Sequence, residues 1–496
     1  METFDMDATN GFLDSKWYHL YCSVQRCNSA LRVLNAATDE QVNGRVSRIA
    51  EMKVLRAHYY FELSRLFNKI PYFDENVEIS QYPDIPNNEF TRDEILSMLA
   101  KEMLDAAEQL PASQPEVGRI HKYIALAYAA KIKLYQAYQQ DEITHAVTSI
   151  NKELLREVVS LCDQVTASNR YGLLDDFQGL DLVTNENGKE SVFAIQYSMN
   201  DGTESAGRIN WSNLLNSPGG GSPYGGDGFF LPSQDLINAY QTDANGLPDF
   251  NYQSKSDYSW AVLNNGVYTL QNTTPNVDPR LDFVVGRPTI TWKTYPDKPC
   301  EGWVRDKDTY GYNCAKRFWV SPESSDMFNG WPWGASQLNW QIIRYADILL
   351  WKAEALIELN EGNGLETARD LINQIRNRAR NSAYVKDFND HSKYAANYLV
   401  NPYPADVWNQ DYARQALRWE TRLEKALEGE RFFDLVRWGI VETTMNKYIT
   451  AESDNRIYYA NAHFTGGKDE YYPVPNNQYG FSGGKYVQNP GYAPFN

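Results

Sequence analysis

Glu428-Gly429-Glu430-Arg431-Phe432-Phe433-Asp434-Leu435-Val436-Arg437-Trp438-Gly439 is the stretch whose reading decides the fold. From Leu417 onward, Trp419, Leu423, Ala426 and Leu427 fall at i, i+4, i+7 and i+8, an apolar stripe of helical period. Gly429 and Glu430 interrupt the stripe, and a second run opens in which Phe432, Leu435 and Val436 share one face. The pattern predicts two short helices or one kinked helix. Arg431, Asp434 and Arg437 recur every third residue on the opposite side, where they can pair along the helix. They read as staples of a helix pair and are assigned no ligand.

Further along stand Tyr472-Pro473-Val474-Pro475 and Gln488-Asn489-Pro490-Gly491-Tyr492. Near the start, Arg56-Ala57-His58-Tyr59-Tyr60-Phe61 and Leu66-Phe67-Asn68-Lys69-Ile70-Pro71 form a helix-and-stop pattern. Met52, Leu55, Tyr59, Leu63 and Leu66 line one face, and Pro71 cannot continue the hydrogen-bond ladder. Arg344-Tyr345-Ala346-Asp347-Ile348-Leu349-Leu350 through Ala353-Glu354-Ala355 gives another helix. Together these blocks resemble the SusD/RagB family, cell-surface nutrient-binding lipoproteins that pair with TonB-dependent SusC-type transporters. The resemblance touches the chain from about Trp17 to Tyr492 and is strongest in the last third. It implies a mostly α fold, SusD-like, in which degenerate tetratricopeptide-like helix pairs form a scaffold for a loop-rich, short-strand insertion.

The pattern along the chain is helical at both ends with an irregular middle. Helices are expected over 17–34, 48–67, 91–109, 118–138 and 152–167, the third opened by a Thr91/Glu94 capping box. Tyr123-Ile124-Ala125-Leu126-Ala127-Tyr128-Ala129-Ala130 alternates bulky and small residues, which lets a neighbouring helix approach closely. Helices over 341–359 and 366–380, joined by Glu361-Gly362-Asn363-Gly364, read as an antiparallel pair. Recurring pairs suggest tetratricopeptide-like stacking, although no regular repeat signature survives. The expected organisation is therefore a helical part over 1–169, an irregular insertion over 170–337 and a helical part with the signature over 338–496, forming a single SusD-like unit. Within the insertion, Ser191-Val192-Phe193-Ala194-Ile195-Gln196-Tyr197 reads as a strand. The glycines from Gly219 to Gly226 read as a surface loop, since neither a Lys-Ser/Thr pair nor a strand-to-helix context makes them a phosphate cradle.

Composition bounds the function. Hydrophobic content of 42 % and charged content of 22 % over 496 residues are ordinary for a globular chain. The formal charge of −17 argues against nucleic acid and against direct adsorption to anionic lipid, because both need clustered Lys and Arg. Cys22, Cys27, Cys162, Cys300 and Cys314 are too scattered for a disulfide framework; Cys300 and Cys314 bracket a loop-rich segment and are candidates to bridge. No apolar run reaches membrane-spanning length. Residues 1–30 show neither a basic start nor an apolar signal core. The resemblance implies a secretion signal and a lipid-modified cysteine upstream of Trp17, so a trimmed chain or a misassigned start codon is expected, with anchoring resting on the resemblance.

Aromatic content is 14 %, with 34 Tyr and 13 Trp. Trp292, Trp303, Trp319, Trp331, Trp333 and Trp340 fall within 290–340. Sugar rings have C–H groups on their faces and hydroxyls on their rims, so exposed indoles can cover the faces while polar side chains bond the rims. Trp319, in a strand-like run, and Trp340, entering a helix, are expected to be buried. Trp292, Tyr295, Trp303, Trp331 and Trp333 lie in polar, Gly/Pro-interrupted segments and are the candidate carbohydrate-binding residues. Trp331-Pro332-Trp333 can present two rings from one stiff turn.

No His-Glu-x-x-His or Cys-x-x-Cys motif occurs, and the six histidines have no ligand spacing. Asp5 to Gly11 suggests a calcium loop, but Lys16 stands where the bidentate Glu belongs. No catalytic residue, metal or cofactor is assigned. The resemblance implies a non-enzymatic glycan-binding protein at the outer-membrane surface that delivers oligosaccharide to a SusC-like TonB-dependent transporter. Two other readings are a helical-repeat scaffold for a peptide or protein, and a glycoside hydrolase whose two carboxylates no motif reveals.

Overall fold

The computed structural model describes residues 2–495 except 204–206, 213–214, 216–218, 220–221, 223–226, 265–266, 272–274, 294, 300–301, 321–323 and 329–333; the side chains of 263–264, 267–270, 295–299 and 308 are also outside the description. The chain forms two compact units. One comprises Met1–Arg170, Phe432–Asn446 and Asn461–Asn496; the other comprises Tyr171–Arg431 and Lys447–Ala460.

The first unit opens with α1 (Gly11–Ala36), α2 (Arg45–Phe67), α3 (Arg92–Gln109), α4 (Lys122–Ala137) and α5 (Lys152–Ala167), each packed on the next. The Thr91 hydroxyl accepts from the Glu94 N–H at 3.3 Å, and the Glu94 carboxylate accepts from the Thr91 N–H at 2.8 Å, so the capping box fixes where α3 begins. Ala125, Ala127, Ala129 and Ala130 are fully buried, which is how α4 lies against both α3 and α5. The helix expected to reach 138 stops at Ala137, where Tyr138 starts β1 (Tyr138–Gln140), paired antiparallel with β2 (Val147–Ile150).

The two carboxy-terminal motifs complete this unit at the end of α2. Asn68 leaves the helix at φ 55°, and the carbonyls of its last turn need outside donors. The Tyr472 N–H donates to Leu66 O at 2.8 Å, and the Asn489 side-chain amide donates to Phe67 O and Tyr472 O, both at 2.7 Å. Gln488 and Val474 exchange two further bonds, at 2.7 and 2.9 Å.

In the second unit, β3 (Ser191–Ile195), α6 (Gln234–Ala239), β4 (Ala261–Asn264), β5 (Val267–Leu270), α7 (Arg280–Val284), β6 (Val285–Gly286), β7 (Thr291–Trp292), β8 (Tyr295–Pro299), α8 (Lys307–Tyr310), β9 (Cys314–Ala315) and β10 (Trp340–Arg344) precede a three-helix core. That core is α9 (Tyr345–Leu359), α10 (Gly364–Asn381) and α11 (Gln410–Glu424), packed through Leu349, Ala353, Ile357, Ile372 and Leu417. Among the described residues the strands pair in twos. Helix was expected from residue 341, but Trp340–Arg344 is a strand paired antiparallel with Ser191–Ile195. Aromatic and β-branched residues favour the extended ladder once a partner strand is present, and α9 starts only at Tyr345, where the Asp347 carboxylate accepts from the Arg344 N–H at 2.8 Å.

The signature stretch forms two helices. After α11 the chain turns at Leu427 (φ 66°) and Gly429 (φ 81°), then restarts as α12 (Arg431–Arg437), followed by α13 (Val441–Glu452) and α14 (Asn476–Phe481). Asp434 and Arg437 pair at 3.0 Å, while Arg431 donates to Arg418 O at 3.4 Å. The Arg437 guanidinium also lies 5.2 Å from the Tyr135 ring and 5.1 Å from the Tyr138 ring, so it is part of the first unit's interior.

Candidate functional site

The aromatic-rich segment builds a buried core. Trp292, Trp303 and Trp319 pack with Val304 and Cys314 in one cluster. Ring centroids of Trp292 and Trp303 lie 5.5 Å apart at 63°, and the Trp292 indole N–H donates to Ala315 O at 3.3 Å. Trp292 is 0 % and Trp303 3 % exposed, which corrects the expectation that both stand out in loops. The pairing of β6 with β9 and β7 with β8 folds these polar-flanked segments on one another, and the indoles supply the apolar volume that short strands lack. Trp319 is buried as expected, whereas Trp340 is half-buried on a strand rather than entering a helix.

Tyr295 opens β8, opposite Trp292; its side chain lies outside the description. Trp331 and Trp333 lie outside the described residues, as does Cys300, while Cys314 is a buried free thiol. The residues flanking 329–333 are well tied. The Phe328 N–H donates to Ala335 O at 2.8 Å, Gln337 N–H to Asp326 O at 3.1 Å, and Asn210 N–H to Ser336 O at 2.8 Å.

That last bond brings in Trp211, which is 47 % exposed and was not singled out from the sequence. Phe229, Phe230 and Tyr310 are also exposed, and the Tyr310 ring lies 5.9 Å from Tyr458. Phe230 adopts φ 57°, a left-handed conformation that bulky residues seldom take. The adjacent residues hold it there: Leu231 packs on the tryptophan cluster, and the Arg456 guanidinium donates to the carbonyls of Leu231 and Pro232, each at 3.0 Å. The available sequence signal was position, since Phe229-Phe230 follows directly on the glycine-rich loop.

The second unit also holds a buried ionic network whose anions include Glu420 and Glu424 of α11 and Glu428 of the signature stretch. Glu424 meets Arg344 at 2.6 Å, Arg280 at 3.2 Å and Arg378. Glu420 bridges Arg280 at 2.6 Å and Arg376 at 3.0 Å. Glu428 meets Arg344 at 3.0 Å and Arg317 at 3.3 Å, and Arg317 continues to Asp181 at 3.1 Å, which also holds Lys293 at 2.6 Å. Burial alone raises a carboxyl's pKa, but Arg344, Lys425 and Arg317 outweigh it and hold Glu428 down to about 2. Every charge in this network is matched, so its role is to fix the insertion against α9, α10 and α11.

Successive packed helices in the first unit, and a second unit of short strands around a tryptophan core with a three-helix core behind them in sequence, define a mostly helical fold with a loop-rich insertion. A family model described as "SusD family" matches residues 189–492, and one described as "Starch-binding associating with outer membrane" matches residues 3–134. The chain belongs to the SusD family. It is 24 % identical to SusD-like protein P2 of Formosa agariphila over 99 % of this chain and 83 % of that one. Surface glycan-binding protein A from Bacteroides fluxus shares the fold with a TM-score of 0.68 at 20 % identity, covering 99 % of this chain and 87 % of that one. A laminarin-binding SusD-like protein does so with a TM-score of 0.59 at 22 % identity, covering 96 % and 86 %.

Proposed function

We propose that this chain captures oligosaccharide at the cell surface and passes it to a SusC-like TonB-dependent outer-membrane transporter. The observation that carries this reading is the exposed aromatic set Trp211, Phe229, Phe230 and Tyr310 on a member of the SusD family. Large rings left in water have the amphipathic character that grips sugar faces. The glycan-binding and laminarin-binding proteins that share the fold support it, as does the starch-binding, outer-membrane wording of the model that matches residues 3–134.

In this reading Trp331, Trp333 and Tyr295 join the exposed rings as ligand contacts, while Trp292 and Trp303 form the core of the same segment. The role is binding without turnover. No helix among the described residues is long and apolar enough to cross a membrane, and attachment is assigned to a lipid anchor of the surface-lipoprotein type. A glycan array followed by intrinsic-fluorescence titration tests the assignment, with saturable binding of at least one oligosaccharide expected. Binding confined to peptides, or release of reducing ends from a bound polysaccharide, overturns it. Co-purification with a β-barrel transporter from solubilised outer membrane tests the delivery step.

A further inference from the structure

Seven asparagines are followed directly by glycine. In that pairing the backbone nitrogen of the glycine can attack the neighbouring carboxamide, because no Cβ obstructs the approach. Two of the pairs, at 265–266 and 329–330, lie outside the described residues. The other five differ in whether the glycine N–H and the asparagine side chain are already held.

Four pairs are held. The Asn10 carboxamide oxygen caps α1, accepting from the Phe12 and Leu13 N–H groups at 3.0 and 3.3 Å. The Gly188 N–H donates to Asn185 O at 3.2 Å, and the Asn187 side chain exchanges two bonds with Gln196, at 2.9 and 3.0 Å. The Gly246 N–H, after Asn245, donates to Asp243 O at 3.0 Å, and the Gly364 N–H, after Asn363, donates to Glu361 O at 2.9 Å.

Asn43-Gly44 differs from all four. The pair is the centre of a turn between α1 and α2, closed by the Arg45 N–H on Val42 O at 3.2 Å. Gly44 has φ 69° and ψ 26° while Asn43 is not left-handed, the pattern of a type II turn, whose closing bond leaves the central peptide unused. Both residues are exposed, and neither the Asn43 side chain nor the Gly44 N–H makes a hydrogen bond among the described residues. A Cβ placed on Gly44 would meet nothing within 4 Å, so the 43–44 peptide can rotate toward the side chain without striking a neighbour. The surrounding loop is tied by the Thr38 N–H on the Gln41 side-chain oxygen at 2.9 Å and by Arg45 on Asp39 at 2.8 Å. Freedom is confined to the reacting pair.

We propose that Asn43 is a site of spontaneous covalent modification, converted by water to aspartyl and isoaspartyl forms. The Gly44 nitrogen bonds to Asn43 Cγ and closes a five-membered succinimide. The bond from Cγ to the side-chain nitrogen breaks, and ammonia leaves with the proton lost from the Gly44 nitrogen. Water then adds to one of the two ring carbonyls, and the bond from that carbon to the ring nitrogen breaks. Opening at one carbonyl gives an ordinary aspartyl chain; opening at the other routes the backbone through the side chain. Each conversion makes the net charge one unit more negative than −17 and sets a carboxylate beside the amino end of α2, which has neither a side-chain cap nor an acid in its first turn. The aspartyl form complements the helix dipole, whereas the isoaspartyl form lengthens the turn that enters the helix.

The test holds the native full chain in warm, mildly alkaline buffer beside a sample unfolded in urea, and follows tryptic peptides by mass spectrometry. The peptide Val33–Arg45 reports the site through the mass change from amide to acid and through separation into two isomers, with fragmentation placing the change at Asn43 rather than Asn35. In urea the five pairs should convert at comparable rates. In the native chain Asn43 should keep most of that rate, while Asn10, Asn187, Asn245 and Asn363 should slow by about tenfold or more, because a hydrogen bond or part of the fold must open first. Conversion should be slower in mildly acidic buffer, since the attacking nitrogen must lose its proton. Native Asn43 converting no faster than the other four overturns the proposal, and so does a change located at Asn35 or a rate that does not rise with pH.

Discussion

The Glu424 carboxylate lies 2.6 Å from the Arg344 guanidinium, and neither side chain exposes more than 1 % of its surface. Arg378 and Arg280 share the same carboxylate. Removing one member of such a cluster leaves buried cations without a counter-charge. Glu424→Ala should therefore lower stability by about 3–5 kcal/mol, measured by urea unfolding. A loss below about 1 kcal/mol, of the size found for exposed pairs, would mean that solvent reaches the network.

Acid should dismantle the same network. Glu424 is held below the usual carboxylate range and Glu428 down to about 2, so their stabilisation is present above the unfolded value of about 4.3 and is lost as pH falls through the folded values. Glu452 runs the other way. Burial, only partly offset by the Asp235 N–H, pushes it up to about 7, so its contribution is present below the unfolded value and is lost as pH rises through about 7. Denaturant midpoints should fall on the acid side and again between about pH 4.3 and 7, and Glu452→Gln should flatten the second decline. An unchanged slope in that variant would assign the decline elsewhere.

Asn489→Ala withdraws the amide that caps both Phe67 O and Tyr472 O. Phe67 O keeps the Lys69 N–H while Tyr472 O loses its Asn489 donor, and stability should drop by about 1–3 kcal/mol with glycan affinity unchanged, checked by paired unfolding and titration experiments. A change in affinity at constant stability would place Asn489 in the binding surface instead.

Tryptophans of the same segment should divide by burial. Trp292→Ala empties a fully buried site and should cost about 3–5 kcal/mol. Trp211→Ala and the W331A/W333A double variant should leave the melting temperature nearly unchanged and weaken glycan binding. Binding that survives both, measured on the best array ligand, would remove those rings from the site.

Local signals in the sequence were readable where the partner is near in the chain. Thr91 and Glu94 announce their capping box, Ser191 to Ile195 its strand, and Gly429 the break between α11 and α12. Trp340–Arg344 was misread as helix because its extended form depends on a partner strand beginning at Ser191, about 150 residues away in sequence, which a local pattern cannot supply. Trp292 and Trp303 were misplaced for a related reason: an indole between polar neighbours reads the same whether it faces water or other indoles. Glu424 and Glu428 carry no local mark in the sequence, and the tertiary approach of Arg344, Arg378, Arg280 and Arg317 makes them interior ions. Phe229, Phe230 and Trp211 escaped notice because no periodicity marks an exposed ring.

The donors that close the last turn of α2 come from Tyr472 and Asn489. A chain made amino terminus first therefore carries α2 for about 400 residues of further synthesis before the groups that cap its last turn exist, so the end of that helix is finished by contacts among the most distant in sequence that the first unit makes.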